Sequence, residues 1–159
     1  MRGHLEALLA YGDALKAADP DVKIAVVGFS DRVRLHAGFE QEWTDELKAH
    51  LLNQAQGSHD ATDDERGVTE GVKLLEMMEA EVGQVVSFSD GQGMPGTLGV
   101  MEKAAQDGYA CLTVGVGPDA KAVRRFGVHG LYVSSLAQLS NRLPAAQLAA
   151  WEAAGRLAG

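Results

Sequence analysis

The sequence predicts a doubly wound α/β domain, a mostly parallel sheet with helices on both faces. Three runs rich in apolar and β-branched residues, at 22–29, 84–89 and 110–116, have the length and continuity of strands buried on both sides. Between them lie stretches whose apolar residues recur three and four apart, the spacing of an amphipathic helix. The connections are short and carry Gly, Asp or Pro, so compact crossovers between parallel neighbours are the simplest arrangement. With 159 residues, 46% of them apolar, the chain is long enough to bury one core without covalent staples.

Residues 4–18 place Leu5, Leu8, Leu9, Gly12 and Leu15 along one side of a helix that stops before Asp19-Pro20. The first strand, 22–29, is closed by Ser30-Asp31, and 33–36 is expected to pair as a short antiparallel edge strand. Trp43, Leu47 and Leu51 share one side of a helix over 43–54, which gives way to a polar loop at 57–64. Helical spacing returns over 65–79 through Val68, Gly71, Val72, Leu75 and Met78. The acids in its first turn suit the positive end of the helix dipole, and Gly71 lets the backbone approach a sheet.

The second strand, 84–89, ends at Asp90-Gly91 and leads to a helix over 97–106. The third, 110–116, is broken by Gly117-Pro118-Asp119, which opens a short helix to about Phe126. Residues 131–133 form a last strand, and two helices over 136–142 and 145–157 close the chain. No repeat and no long linker divides it.

Twenty-two acids against fourteen bases give a net charge of −8, and the bases are scattered, so nucleic acid and anionic membrane are poor partners. No apolar run approaches the ~20 residues of a bilayer crossing, and no leader opens the chain. The single cysteine, Cys111, cannot pair within the chain and sits in an apolar run, which fits a packed thiol in a reducing cytoplasm. The five histidines show no zinc spacing and read as surface residues, with His59 notable only for its nearness to Thr62. Ser89 has neither a nucleophile elbow nor a spaced histidine, so hydrolase chemistry is not indicated. Leu74, Leu75, Met77 and Met78 read as ordinary helix packing, and Leu148 and Trp151 as one side of a core-facing terminal helix.

In open α/β sheets ligands sit beyond the carboxyl ends of the strands, which singles out Ser30-Asp31, Ser89-Asp90-Gly91 and Gly115-Val116-Gly117. Asp90, with Thr62, Asp63 and Asp64 from the polar loop, supplies the oxygen donors that a hard cation such as Mg²⁺ prefers. The same residues also read as a strand-to-turn sequence and as helix caps. A second reading uses Gly115-Val116-Gly117-Pro118-Asp119-Ala120, which fits G-x-G-x-x-A and would bring backbone close to a nucleotide pyrophosphate. Against it stand the late position, the missing amide of Pro118 and the lack of an acid ~20 residues on.

The order of elements, together with Thr62 ahead of Gly67, Val68 and Gly71 and the Ser89-Asp90-Gly91 turn, resembles a von Willebrand factor type A domain. The resemblance covers about 1–143, with 144–159 as a terminal helix. In that family a metal-ion-dependent adhesion site joins an Asp-x-Ser-x-Ser loop, a Thr from a second loop and an Asp from a third. It implies Thr62 as the second-loop ligand, Asp64 as its competitor and Asp90 as the third-loop ligand, holding Mg²⁺. It further implies a non-catalytic protein-binding module whose partner completes the metal coordination with an acidic side chain.

The segments 26–32, 89–92, 113–117 and 136–139 are similar to the bacterial intracellular branch, with the cobaltochelatase T-subunit and the nitric-oxide-reductase accessory D protein. That implies a hexameric AAA+ ATPase as partner and a role in metal insertion or complex assembly. One departure stands out. The Asp-x-Ser-x-Ser loop and the strand before it, central in the family's sheet, are missing ahead of the first helix. Either the reading frame starts upstream, which is the expectation, or the chain closes the gap by direct pairing or by borrowing a strand. With one or two carboxylates left, Mg²⁺ binding by this chain alone is expected to be weak.

Overall fold

The computed structural model describes residues 2–29, 33–54, 64–79, 82–92 and 95–155. Its elements run α1 (Arg2–Ala18), β1 (Val26–Phe29), β2 (Val33–Ala37), α2 (Asp45–Gln54), α3 (Asp64–Met77), β3 (Gly83–Phe88), α4 (Thr97–Gln106), β4 (Tyr109–Val116), a 3-10 helix (Pro118–His129), β5 (Gly130–Val133) and α5 (Leu136–Ala153). The class is the expected one, a parallel sheet flanked by helices. β3, β4 and β5 pair in parallel in that order, Ser87 opposite Thr113 and Val114 opposite Leu131.

β4 shows why this stretch is a central strand. Its residues alternate between two separate cores, and it is buried over 110–115. Ala110, Leu112 and Val114 face one core with Ala7 of α1, Leu131 and Val133 of β5 and Leu139 and Ala150 of α5. Cys111 faces the other with Val68 of α3, Met101 and Ala104 of α4, and Val123 and Phe126 of the 3-10 helix. An unbroken apolar run is what a strand covered on both faces requires. Burial pushes the Cys111 thiol up to about 12, consistent with a packed, unreactive side chain.

β1 and β2 form a separate antiparallel pair, Phe29 opposite Val33, over a third core of Val26, Ala37, Leu47 and Leu51 with Leu8, Leu9 and Trp43 against it. Among the described residues no ladder joins β1 to β3, so the gap anticipated in the sheet is not closed by direct pairing. Two helices span it. α3 packs against both β1 and β3, and α1 enters one core through Ala7 and the third through Leu8 and Leu9. At Gly12 an added Cβ would lie 2.3 Å from the Trp43 ring, so the glycine is what lets Trp43 lie across α1.

Four expectations are corrected. The first strand begins at Val26 rather than Val22, because β2 offers it a partner only from there. The closing pair of helices is one helix that runs through Pro144: the proline removes one backbone bond, but Leu139, Leu143, Ala146 and Ala150 on either side share one core. His129 is not a surface residue. It is 4% exposed, and its Nδ1–H donates to the Cys111 carbonyl at 3.0 Å, which fixes the tautomer because a carbonyl only accepts. Met77 and Leu148 are exposed rather than packed, at 80% and 54%. None of the described helices is long and apolar enough to cross a membrane.

Candidate functional site

The carboxyl end of β3 is a turn built on side chains. Ser89 continues the ladder, its amide donating to the Val114 carbonyl at 3.0 Å, while its Oγ accepts the Gly91 amide at 3.1 Å. The Asp90 carboxylate accepts the Gln92 amide through Oδ1 at 2.9 Å, an Asx turn that holds the half-buried side chain at the strand's end. Gly91 closes the turn at φ +78°, and an added Cβ would lie 2.5 Å from the Val123 backbone nitrogen. Both the backbone angle and the space demand glycine there. Gln92 reaches the next loop, its Nε2 donating to the Asp119 carbonyl at 3.4 Å.

The neighbouring loop delivers its acids to the same region by another route. Asp64, the first residue of α3, is fully buried and accepts the Thr97 hydroxyl at 2.6 Å through Oδ1. Thr97 is the first residue of α4 and is buried as well. Glu65 leans on the same helix start, with its carboxylate 2.7 Å from where a Cβ of Gly96 would stand. Two acids at the amino end of α4 suit its positive dipole end. The helices that follow the Thr62 loop and the Asp90 turn are thereby joined start to start. Thr62, Asp63, His59 and Ser30-Asp31 lie outside the described residues.

The donor set is of the right kind for a hard cation, carboxylate and hydroxyl oxygens, but it is sparse. Among the described residues no three His, Cys, Asp or Glu side chains gather as metal ligands would. Asp64 Oδ1 and Asp90 Oδ1 are each already engaged by a donor of the chain. The described residues thus fit only a weakly held ion, one that relies on water and on external ligands.

The glycine loop after β4 does not form a phosphate cradle. Gly115 is packed against the 3-10 helix, where a Cβ would lie 2.8 Å from the Ala120 Cβ. The Gly117 amide donates to the Val133 carbonyl and the Ala120 amide to the Gly117 carbonyl, at 3.0 and 3.1 Å. Pro118 has no amide, so the motif's glycines serve packing and sheet pairing. Sequence reasoning missed the Asp64–Thr97 bond, whose partners are 33 residues apart, and the buried hydroxyl pair Ser87–Thr113 at 2.7 Å. For the pair a signal was present, a Ser and a Thr inside otherwise apolar strands.

No family model matches the chain, and no curated protein matches it. Solved structures do. Proximal thread matrix protein 1 from the mussel byssus is similar in fold over 95% of this chain, with a TM-score of 0.67 and 14% identity. A second crystal form of that protein gives 0.66, and a form with a zinc-occupied MIDAS motif gives 0.67, both at 14% identity. The chain spans 43–44% of the length of that mussel protein. At this identity the likeness is one of fold alone, an α/β domain with a parallel sheet flanked by helices.

Proposed function

We propose that the chain is a protein-binding module that recognises its partner at the carboxyl end of the sheet, around Asp90 and the loop leading into α3. The observation that carries this reading is the bond between Thr97 and Asp64. It ties the start of α3 to the start of α4, the helices that follow the polar loop and the Asp90 turn. The fold likeness to a protein with a metal-occupied adhesion motif supports the same use of that end of the sheet. Thr62 and Asp90, with Asp64 behind them, would hold Mg²⁺ weakly, and an acidic side chain of the partner would complete its coordination. The ion would supply a positive charge that makes recognition dependent on a carboxylate.

The similarity of 26–32, 89–92, 113–117 and 136–139 to cobaltochelatase-type subunits adds an AAA+ ATPase as the partner of choice, and a non-catalytic accessory role in metal insertion or assembly. Titration calorimetry with Mg²⁺ tests the site: weak binding by the chain, abolished by Asp90→Ala, is expected. Tight binding, or weak binding unchanged by Asp90→Ala, would overturn the metal assignment. Capture of the ATPase on immobilised chain, lost in EDTA, tests the partner. Capture that survives both EDTA and Asp90→Ala would place the contact elsewhere.

A further inference from the structure

The charge of the chain is unevenly spread. Residues 120–151 contain four of its fourteen Lys and Arg and none of its twenty-two acids, so this segment carries +4 and the remainder −12. The fold gathers that segment at one end of the sheet, as the 3-10 helix, the outer strand β5 and most of α5, which pack on one another.

Two arginines meet there at Tyr132 of β5. Arg124 comes from the 3-10 helix, which packs through Val123 and Phe126 on the Cys111 face of the sheet, and its guanidinium carbon lies 4.7 Å from the centre of the Tyr132 ring. Arg142 comes from α5, which packs through Leu139 on the opposite face, and it donates to the Tyr132 carbonyl at 2.5 Å. Helices on both faces thus send like charges to one edge residue. Lys121 stands exposed on the 3-10 helix, and both arginines are exposed as well. Elsewhere cations are balanced: Lys48, Lys73 and Lys103 pair with Asp13, Glu70 and Asp107. Among the described residues no carboxylate pairs with Lys121, Arg124 or Arg142. Their donors stay available, because a guanidinium stacked on a ring offers its N–H groups at its rim and Arg142 has used a single one. Positive groups that converge in this way repel unless an anion lies between them.

We propose that Arg124 and Arg142, at the β5 edge, bind an acidic peptide segment of a partner protein, each guanidinium taking one carboxylate through a forked pair of hydrogen bonds. Charge chooses this occupant. A long nucleic acid would have to cross the −12 remainder of the surface, whereas a short run of Glu or Asp matches a patch centred on one residue. The Tyr132 carbonyl is already taken by Arg142, so recognition is by side chains and not by an added strand. The contact needs no metal and does not use Asp90.

NMR titration of the whole chain with a capped hexaglutamate peptide at low salt is the test. The Nε–H signals of Arg124 and Arg142 and the Tyr132 amide should shift together, equally in EDTA and in Asp90→Ala, and the affinity should fall as salt is added. Arg124→Gln and Arg142→Gln should each weaken binding by about threefold or more. Lys73→Gln, which removes the same charge from another surface, should not. All three side chains are exposed, and amide spectra that match the parent's show that each variant is folded. Absence of the shifts, an equal loss in Lys73→Gln, or binding lost in EDTA or in Asp90→Ala would overturn the proposal. Equal shifts from inorganic phosphate or from a single-stranded oligonucleotide of the same charge would overturn it too. So would shifts that grow with protein concentration alone, which would assign the patch to a second copy of the chain.

Discussion

The Thr97 hydroxyl donates to the Asp64 carboxylate over 2.6 Å with both residues at 0% exposure, and so fastens the start of α4 to the start of α3. A buried hydrogen bond to a carboxylate is among the stronger ones available to a protein. Thr97→Val keeps the shape of the side chain and removes the donor. It should cost about 1.5–3 kcal/mol in urea unfolding, and Asp64→Asn, which still offers an acceptor, should cost less. If Asp64 serves as this fastener, the Thr97→Val loss is the same in Mg²⁺ and in EDTA; a loss seen only with Mg²⁺ would make Asp64 a working ligand instead.

A buried thiol and a half-buried phenol, both of raised pKa, should lower stability at alkaline pH. Burial pushes Cys111 from 9.0 up to about 12, and burial, opposed by the Gln84 side chain, pushes Tyr11 from 10.0 up to about 12. Above pH 9 the unfolded thiol has released a proton that the folded one keeps, so the folded state binds more protons and stability falls as pH rises. Below pH 9 neither group contributes to the slope. The fall is about 1.4 kcal/mol per pH unit for one such group, with Tyr11 joining above pH 10. Cys111→Ala should therefore move the onset of the decline in urea midpoints from about pH 9 to about pH 10, and an unchanged onset would refute the thiol's part in it.

The elements with strong local signals were legible from sequence, and those decided by pairing were not. α4 coincides with the helix expected from its spacing, and β4 ends where expected and starts one residue earlier, because periodicity and continuous apolar character are local properties. Val22, Ile24 and Ala25 are as apolar as Val26, yet only Val26 has a strand beside it. Pro144 reads as a break, but burial of the residues flanking it in one core carries the helix through. The site was legible in part. Ser89-Asp90-Gly91 sits at a strand end as its turn chemistry requires, whereas the burial of Asp64 depends on Thr97, which no spacing rule connects to it.

The outer edge of β5 is protected by two cations rather than by a strand. Arg142 occupies the Tyr132 carbonyl, and Arg124 covers the Tyr132 ring at 4.7 Å. Replacing both with alanine leaves a short apolar edge, Gly130–Val133, without charge. The double variant should self-associate, seen as concentration-dependent growth in light scattering, while each single variant does so less. A monodisperse double variant would show that the length of the strand, and not the arginines, keeps this edge apart.

Gly12 faces a conflict between local propensity and packing. Alanine in mid-helix is favoured over glycine by about 1 kcal/mol, so Gly12→Ala taken alone predicts a more stable α1. The added methyl, however, would stand 2.3 Å from the Trp43 ring, whose Nε1–H is held by the Asp13 carboxylate at 2.9 Å. The same carboxylate, kept low by Trp43 and Lys48, also pairs with Lys48 at 3.0 Å, so the ring cannot retreat without disturbing the junction of α1 with α2. Overpacking of this kind costs about 1–3 kcal/mol, and the net effect of Gly12→Ala should be destabilising. With Trp43→Leu in the background the clash is gone and the propensity gain should reappear, so the two substitutions combine with a coupling of opposite sign to the single effect. A double-mutant cycle in urea measures it, and simple additivity would mean that the ring moves aside freely.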